Sequence, residues 1–238
     1  MVVLSEAARS ALAVSYGIPR SEVAVIPHGS LWRAAPPSVG VRRELITWGL
    51  LGPGKGLEKS IEAVAMLRDL EPRLRYRIVG RTHPVVALRY GHAYRRRLEE
   101  LVRSFQVDDV VEFVDRYLDD DDLYRLVASS DVVVTPYETV EQVTSGVLVD
   151  AVAAGRPIVA TRFPHAVEML DGGAGQVVDH DASAIAAALR SLLEDDQAYE
   201  NAARIAASRS SEIGWESGAR SYADLVRSLI SSELSIRN

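Results

Sequence analysis

Short runs of β-branched and apolar residues punctuate this chain: "VAVIPHG", "ELITWG", "RYRIVG", "VVEFVD", "DVVVTPY", "RPIVAT" and "AGQVVD". Between them lie longer stretches whose apolar residues recur at three and four. Parallel neighbours in a sheet need a crossover, and a right-handed helical crossover is the one that packs back onto a twisted sheet. The alternation therefore predicts an α/β fold, a doubly wound parallel sheet with helices on both faces. Ligands of such folds bind beyond the carboxyl ends of the strands, which directs attention to the loops that follow them.

The two ends read differently. "SEAARSALAVSYGI" is a helix capped by Ser5, and after "VAVIPHGS" comes a proline-containing connector, "LWRAAPPSVGVRR". In "WESGARSYADLVRSLISSEL", Tyr222, Leu225, Val226 and Leu229 form the apolar stripe of a helix that must dock on something. The expected organisation is residues 1–43 as connecting structure, 44–214 as the α/β domain and 215–238 as a carboxyl-terminal helix. Apolar runs fall far short of the roughly 20 residues that cross a bilayer, and no basic segment with a cleavage site follows Met1, so a cytoplasmic protein is expected. The absence of cysteine excludes disulfides, thiolate zinc sites and thiol nucleophiles, and a net charge of −6 argues against broad nucleic-acid binding.

Only two lysines occur, Lys55 and Lys59, and the first sits in "WGLLGPGKGLEKS". A glycine turn between a strand and a helix is a prescription for an anion site, because the first helical N–H groups are unpaired and the helix dipole adds positive charge. The spelling Gly49-x-x-x-x-Gly54-Lys55 comes within one residue of a nucleotide-triphosphatase P-loop, but the magnesium-binding Ser or Thr is replaced by Gly56. Asp131 stands at the wrong end of its strand to hold magnesium, and Asp115 closes a run interrupted by Glu112. A tight turn with a solvated Lys55 is the plain structural alternative.

A second turn opens a helix in "YETVEQVTSGVLVDAVAAGRPIVATRFPHAVEML". Ser145 and Gly146 would expose a second set of helix-terminal N–H groups, with Asp150 about one turn along. Two helix starts facing one cleft suit a diphosphate, and a carboxylate nearby suits ribose hydroxyls. The run Asp119–Asp122 precedes "LYRLV" and reads as a helix cap rather than a metal-binding Asp-x-Asp.

Taken together, these segments resemble the donor-binding half of GT-B glycosyltransferases, in particular the retaining family 4 (glycosyltransferase group 1). "SGVLVDAVAAGRPIVAT" aligns with that family's Glu-x7-Glu and "AxGxPVVAT" pattern, placing Gln142 and Asp150 on the two glutamates, and "GLLGPGKG" falls on "GRLxxxKG". Leu50 stands where the family has arginine. A subset carrying "GxTHP", "YR" and "QxxSG" is similar at Thr82, His83, Pro84, Tyr94, Arg95, Gln142, Ser145 and Gly146.

The resemblance implies a Rossmann-like domain that transfers a sugar from a UDP-, GDP- or ADP-linked donor with retention of configuration and without metal or other cofactor. Charge grows on the departing diphosphate, and stabilising it is the main electrostatic task. Lys55, flanked by Gly54 and Gly56, would supply a cation. Arg81 or Arg95 would replace the missing arginine, with Thr82, His83 and the amides near Ser145 and Gly146 completing the site. Gln142 would hold a sugar hydroxyl and Asp150 the ribose. His83 and His165 read equally as contacts or polar loop residues, His28 as an interdomain residue, and His92 and His180 as surface positions. Residues 1–43 resemble the last element of an acceptor domain that is otherwise missing, so the chain alone is expected to be inactive; the full-length enzyme could sit peripherally on a membrane. A binding-only nucleotide-sugar domain and, less favoured, a sugar-nucleotide epimerase fragment are the alternatives.

Overall fold

The first β-rich run does not join the others. In the computed structural model, which describes residues 1–236, Ala24–Val25 (β2) pairs in parallel with Val2–Val3 (β1), across the helix Glu6–Tyr16 (α1) that Ser5 caps. Pro27 follows almost at once and has no N–H for a ladder, so the ribbon stops after two residues. The expectation that "VAVIPHG" belongs to the main alternation is corrected accordingly.

The remaining runs do form one sheet. Its strands are Glu44–Trp48 (β3), Arg75–Val79 (β4), Val111–Val114 (β5), Val132–Thr135 (β6), Ile158–Thr161 (β7) and Gly175–Val178 (β8). All pair in parallel, in the order β5-β4-β3-β6-β7-β8. The order reverses between β3 and β6, where a crevice opens at the carboxyl ends.

Strand alternation assigns the two faces. Leu45, Tyr76, Ile78 and Val134 turn toward Leu57–Ala65 (α2), Ala93–Ser104 (α4) and Ala182–Glu194 (α8). Ile46, Trp48, Val133 and Ala160 turn toward Asp120–Ala128 (α5), Gly146–Ala153 (α6) and Pro164–Leu170 (α7). A short helix, Pro84–Tyr90 (α3), precedes α4, and Asp196–Ser210 (α9) leads to Trp215–Ile236 (α10). The helix expected over 215–238 is therefore present, its last two residues lying outside the described ones. On α10, Tyr222, Val226, Leu229 and Ile230 are exposed, and no helix is long and apolar enough to cross a membrane among the described residues.

Two buried polar groups lock this framework. Thr47 Oγ1 donates to the Val134 carbonyl (2.6 Å) and accepts from the Tyr76 hydroxyl (2.8 Å), whose oxygen also lies at hydrogen-bond distance from the Ser60 hydroxyl on α2 (2.9 Å). Three strands and a helix thus share one chain of hydrogen bonds, and burial pushes the Tyr76 phenol up to about 12. Arg156 is 1% exposed and has no carboxylate partner among the described residues. Its guanidinium donates instead to the carbonyls of Ala35 (3.0 Å), Pro36 and Ser130 (3.2 Å), fastening the connector to the sheet.

Replacing Arg156 by Met removes its donors from those carbonyls, of which Ser130's is buried, so Arg156→Met is expected to lower the free energy of unfolding by about 2–4 kcal/mol. A urea midpoint equal to that of the parent chain would show that the connector is held some other way.

Candidate functional site

The loops after β3 and β4 are zipped together by their own backbones. Leu51 N donates to the Arg81 carbonyl (2.9 Å), and His83 N donates to the Leu51 carbonyl (2.8 Å). Gly80 makes this approach possible: its φ is +137°, and a Cβ there would lie 2.0 Å from the Gly49 carbonyl oxygen. Beyond the two loops lies a cleft of about 210 Å³ lined by Trp48, Leu50, Arg81, Tyr117, Leu118 and Asp120, among others. Its walls are apolar with a few charged groups at the rim, as in many small-molecule sites.

Alongside it, Gly56 begins α2 at a φ of +64° with a Cβ position only 1.7 Å from the Pro136 oxygen. No serine or threonine fits there, which removes the P-loop reading on steric grounds. The same approach draws the Lys55 turn onto the end of β6: Glu138 N donates to the Gly54 carbonyl (3.0 Å), and Lys55 Nζ sits 4.3 Å from the centre of the Tyr137 ring. Lys55 is half-buried with no carboxylate partner among the described residues. Burial holds its pKa below the lysine value of 10.5. An under-solvated, unpaired ammonium is a receptor for an anion.

The second turn opens on the same end of the sheet. Ser145 caps α6 by accepting from Leu148 N (3.3 Å), and the buried Tyr137 phenol, pushed up by desolvation, lies near the Ser145 side chain, which opposes the rise. A Cβ on Gly49 would touch Val147 in the first turn of α6 (3.7 Å). The Lys55 and Ser145 turns therefore converge.

Several predicted residues are placed otherwise than expected. The Ser145 amide is not open, because it donates to His165 Nδ1 (2.9 Å); Gly146 is the first helical residue beyond it. Arg95 is no free cation: it is buried and donates to the Gly80 carbonyl (2.7 Å) and to Asp115 (2.9 Å). Arg81 is exposed at the cleft with no carboxylate partner among the described residues. Asp150 accepts from Ser30 Oγ (2.7 Å) and has Asp120 as a like-charged neighbour; burial raises its pKa and the serine opposes the rise. Gln142 Nε2 donates to the Thr144 carbonyl (3.2 Å) within its own loop. Thr82 is buried with an unpaired hydroxyl, and His83 caps α3 by accepting from Val85 N (3.2 Å). His180, expected at the surface, is half-buried, its Nε2 enclosed and unpaired beside Gly56. His28 packs on Trp215 at 5.8 Å. Asp119 caps α5 by accepting from Asp122 N (2.8 Å), as its position in the acidic run implied.

This geometry meets an independent finding. The family model described as "Glycosyl transferases group 1" matches residues 42–195. The chain belongs to that glycosyltransferase group 1 family. It is similar to the D-inositol 3-phosphate glycosyltransferase of Streptomyces coelicolor, 29% identical over 214 residues that cover 86% of this chain and 45% of that protein. A putative colanic acid biosynthesis glycosyltransferase WcaL of Escherichia coli is 31% identical over 195 residues, 76% of this chain and 44% of the relative. The chain thus spans less than half the length of each of these two relatives. Among solved structures, Anabaena HepE in complex with UDP and glucose superposes with a TM-score of 0.79 at 19% identity, covering 95% of this chain and 62% of that one. Sucrose-phosphate synthase of Thermosynechococcus elongatus gives 0.76 at 23% identity, covering 97% and 58%. The parallel sheet with helices on both faces is that of these GT-B glycosyltransferases.

Reading the sequence of this family member did not single out Tyr137 or Tyr117, and took Asp120 only as part of a helix-capping acidic run. Tyr137 was within reach, since it lies two residues beyond a wholly buried strand, at its carboxyl end. The other two lie in an irregular loop and at a helix start, and carry no periodic signal. The steric reading is testable: Gly56→Ser is expected to cost at least about 2 kcal/mol, from the left-handed backbone and the clash with Pro136 together. A variant as resistant to urea as the parent would mean that the two turns do not press together.

Proposed function

We propose that residues 44–214 bind the nucleotide diphosphate sugar used by a retaining, metal-independent glycosyl transfer. The observation that carries this reading is Lys55, a half-buried ammonium without a carboxylate partner among the described residues, at the junction of two glycine-containing turns. The diphosphate lies between Lys55, the first amides of α2 and the Gly146 end of α6. Arg81, rather than Arg95, supplies the charge that Leu50 does not. The base enters the cleft beside Tyr117, and the ribose faces Asp150 and Asp120. Gln142 turns from its loop to a sugar hydroxyl.

As the glycosidic bond breaks, electrons move onto the diphosphate oxygen. Fixed amide dipoles and a partly desolvated cation stabilise that charge with little reorganisation. Departure of the leaving group exposes an oxocarbenium-like centre, which the acceptor hydroxyl attacks from the face the diphosphate is vacating, its proton passing to the departing diphosphate oxygen, so configuration is retained. The acceptor's contacts are proposed to come from a second domain covering the open side of the cleft, and this chain alone is proposed to bind without turning over. The binding-only alternative shares that expectation and differs only in whether adding such a domain restores transfer.

Calorimetric titration with UDP, GDP and ADP, with and without magnesium, tests the donor site. Metal-free binding of one nucleotide is expected, weakened at least about tenfold by Lys55→Ala, the worth of one charge-assisted hydrogen bond. Arg81→Ala should weaken it more than Arg190→Ala, since Arg190 is engaged by Asp69 and Glu194. Affinity should also fall as pH rises through the Lys55 pKa, starting below 10.5, because the ammonium is then lost. A strict magnesium requirement, or indifference to Lys55→Ala, would sink the proposal.

A further inference from the structure

We infer that His165 is a positioning residue whose neutral imidazole clips the Gln142–Ser145 turn into its donor-binding shape, and that acid opens the clip. The inference rests on the donor-site reading above, since it concerns the same turn. His165 sits in the first turn of α7, is 2% exposed, and holds both ends of the turn. Its Nδ1 accepts from Ser145 N (2.9 Å) and its own backbone N donates to the Gln142 carbonyl (3.3 Å). Nothing else on α7 reaches both ends.

The first of these bonds depends on protonation. An imidazole that accepts at Nδ1 carries its proton on Nε2, whereas an imidazolium has a donor at both nitrogens. A protonated His165 would therefore point an N–H at the Ser145 N–H in a buried place, and the turn would have to move. Ser145 caps α6 and neighbours Tyr137, so its movement would disturb the helix start beside Lys55.

The surroundings favour the neutral form. Burial is the largest influence and holds the pKa below the ordinary 6.5; His28 on the connector pushes the same way, while Glu168 on α7 opposes. Glu168 is already engaged, its two oxygens accepting from Glu6 N and Ala7 N at 2.9 Å each. From α6, Asp150 is turned to Ser30, and from α1, Glu6 is paired with Arg9 and Arg20. Below 6.5 the unfolded chain binds more protons at this residue than the folded one. Its contribution to stability is therefore complete above 6.5 and is lost as pH falls from there through the lower folded value.

His165→Asn separates the clip from mere packing, because the Asn side-chain oxygen can accept from Ser145 N at any pH. The full chain would be followed from pH 8 to pH 5 by amide NMR without ligand and by calorimetry with UDP, GDP and ADP. The Ser145 and Gly146 amides are expected to shift with the His165 ring, at a midpoint below 6.5. Nucleotide affinity should fall by about threefold to tenfold over the same interval, the worth of one hydrogen bond. In His165→Asn the fall should shrink to that of the nucleotide's own phosphate, which titrates identically in every variant, whereas His165→Ala should bind weakly throughout. The inference is overturned if those amides ignore the titrating ring, or if His165→Asn reproduces the parent's pH profile. If no nucleotide binds at any pH, the donor-site reading fails, and the ligand-free amide titration decides the clip by itself.

Discussion

Parallel pairing of β3 with β6 is the constraint from which the site follows. These strands are distant in sequence, and the chain reaches β6 only after laying β4 and β5 on the other side of β3. The loops leaving the two strands diverge to opposite faces of the sheet, one into α2 and the other into α6. A crevice remains between them, with a helix start on either side. Backbone contact closes its floor: Gly56 presses on Pro136, and Gly54 accepts from Glu138. A side chain at Gly56 would hold the turns apart, and Lys55 would then stand in solvent rather than over Tyr137.

That placement decides what the lysine does. In bulk water an ammonium gains little from an approaching anion, because solvent already satisfies it. Partial burial removes some of that solvent without providing a carboxylate, so the group is left with an unmet demand that shows as a lowered pKa. The Tyr137 ring meets part of it through its π face, and the two helix starts add dipoles of the same sign. Each contribution is modest, and their direction toward one point makes them useful.

Much of this was legible in the residues. Runs such as Val132–Val134 and Ile158–Ala160 are apolar at every position because both faces of a central parallel strand are covered, and their order gave the sheet. Caps at Ser5 and Asp119 were readable because a short polar side chain before an apolar period has one dominant use, whereas Ser145 was read for its amide, which the structure closes on His165. The arginines were not legible in this way. Arg81, Arg95 and Arg156 are chemically identical, yet one faces the cleft, one is spent on Asp115 and Gly80, and one is buried among carbonyls. The difference lies in which backbone groups the fold leaves unpaired nearby, and that is a property of tertiary register. His165 and His180 escaped for the same reason.

The fate of Arg95 also explains how the chain manages with Leu50. A cation on the β3 loop would reach the cleft directly, but Leu50 leaves that wall apolar. Arg95 instead grips the Gly80 carbonyl and Asp115 from α4, tying the ends of β4 and β5 together and setting the height of the loop that begins at Gly80. Arg81 is the next residue, held at its carbonyl by Leu51 N, so its side chain leaves a backbone fixed on both sides. One arginine neutralised within the protein thus steadies the peptide from which a second, without a carboxylate partner among the described residues, reaches the cleft. The division is physically economical, because a cation buried deeply enough to be rigid is costly unless paired, while an unpaired one must stay near water.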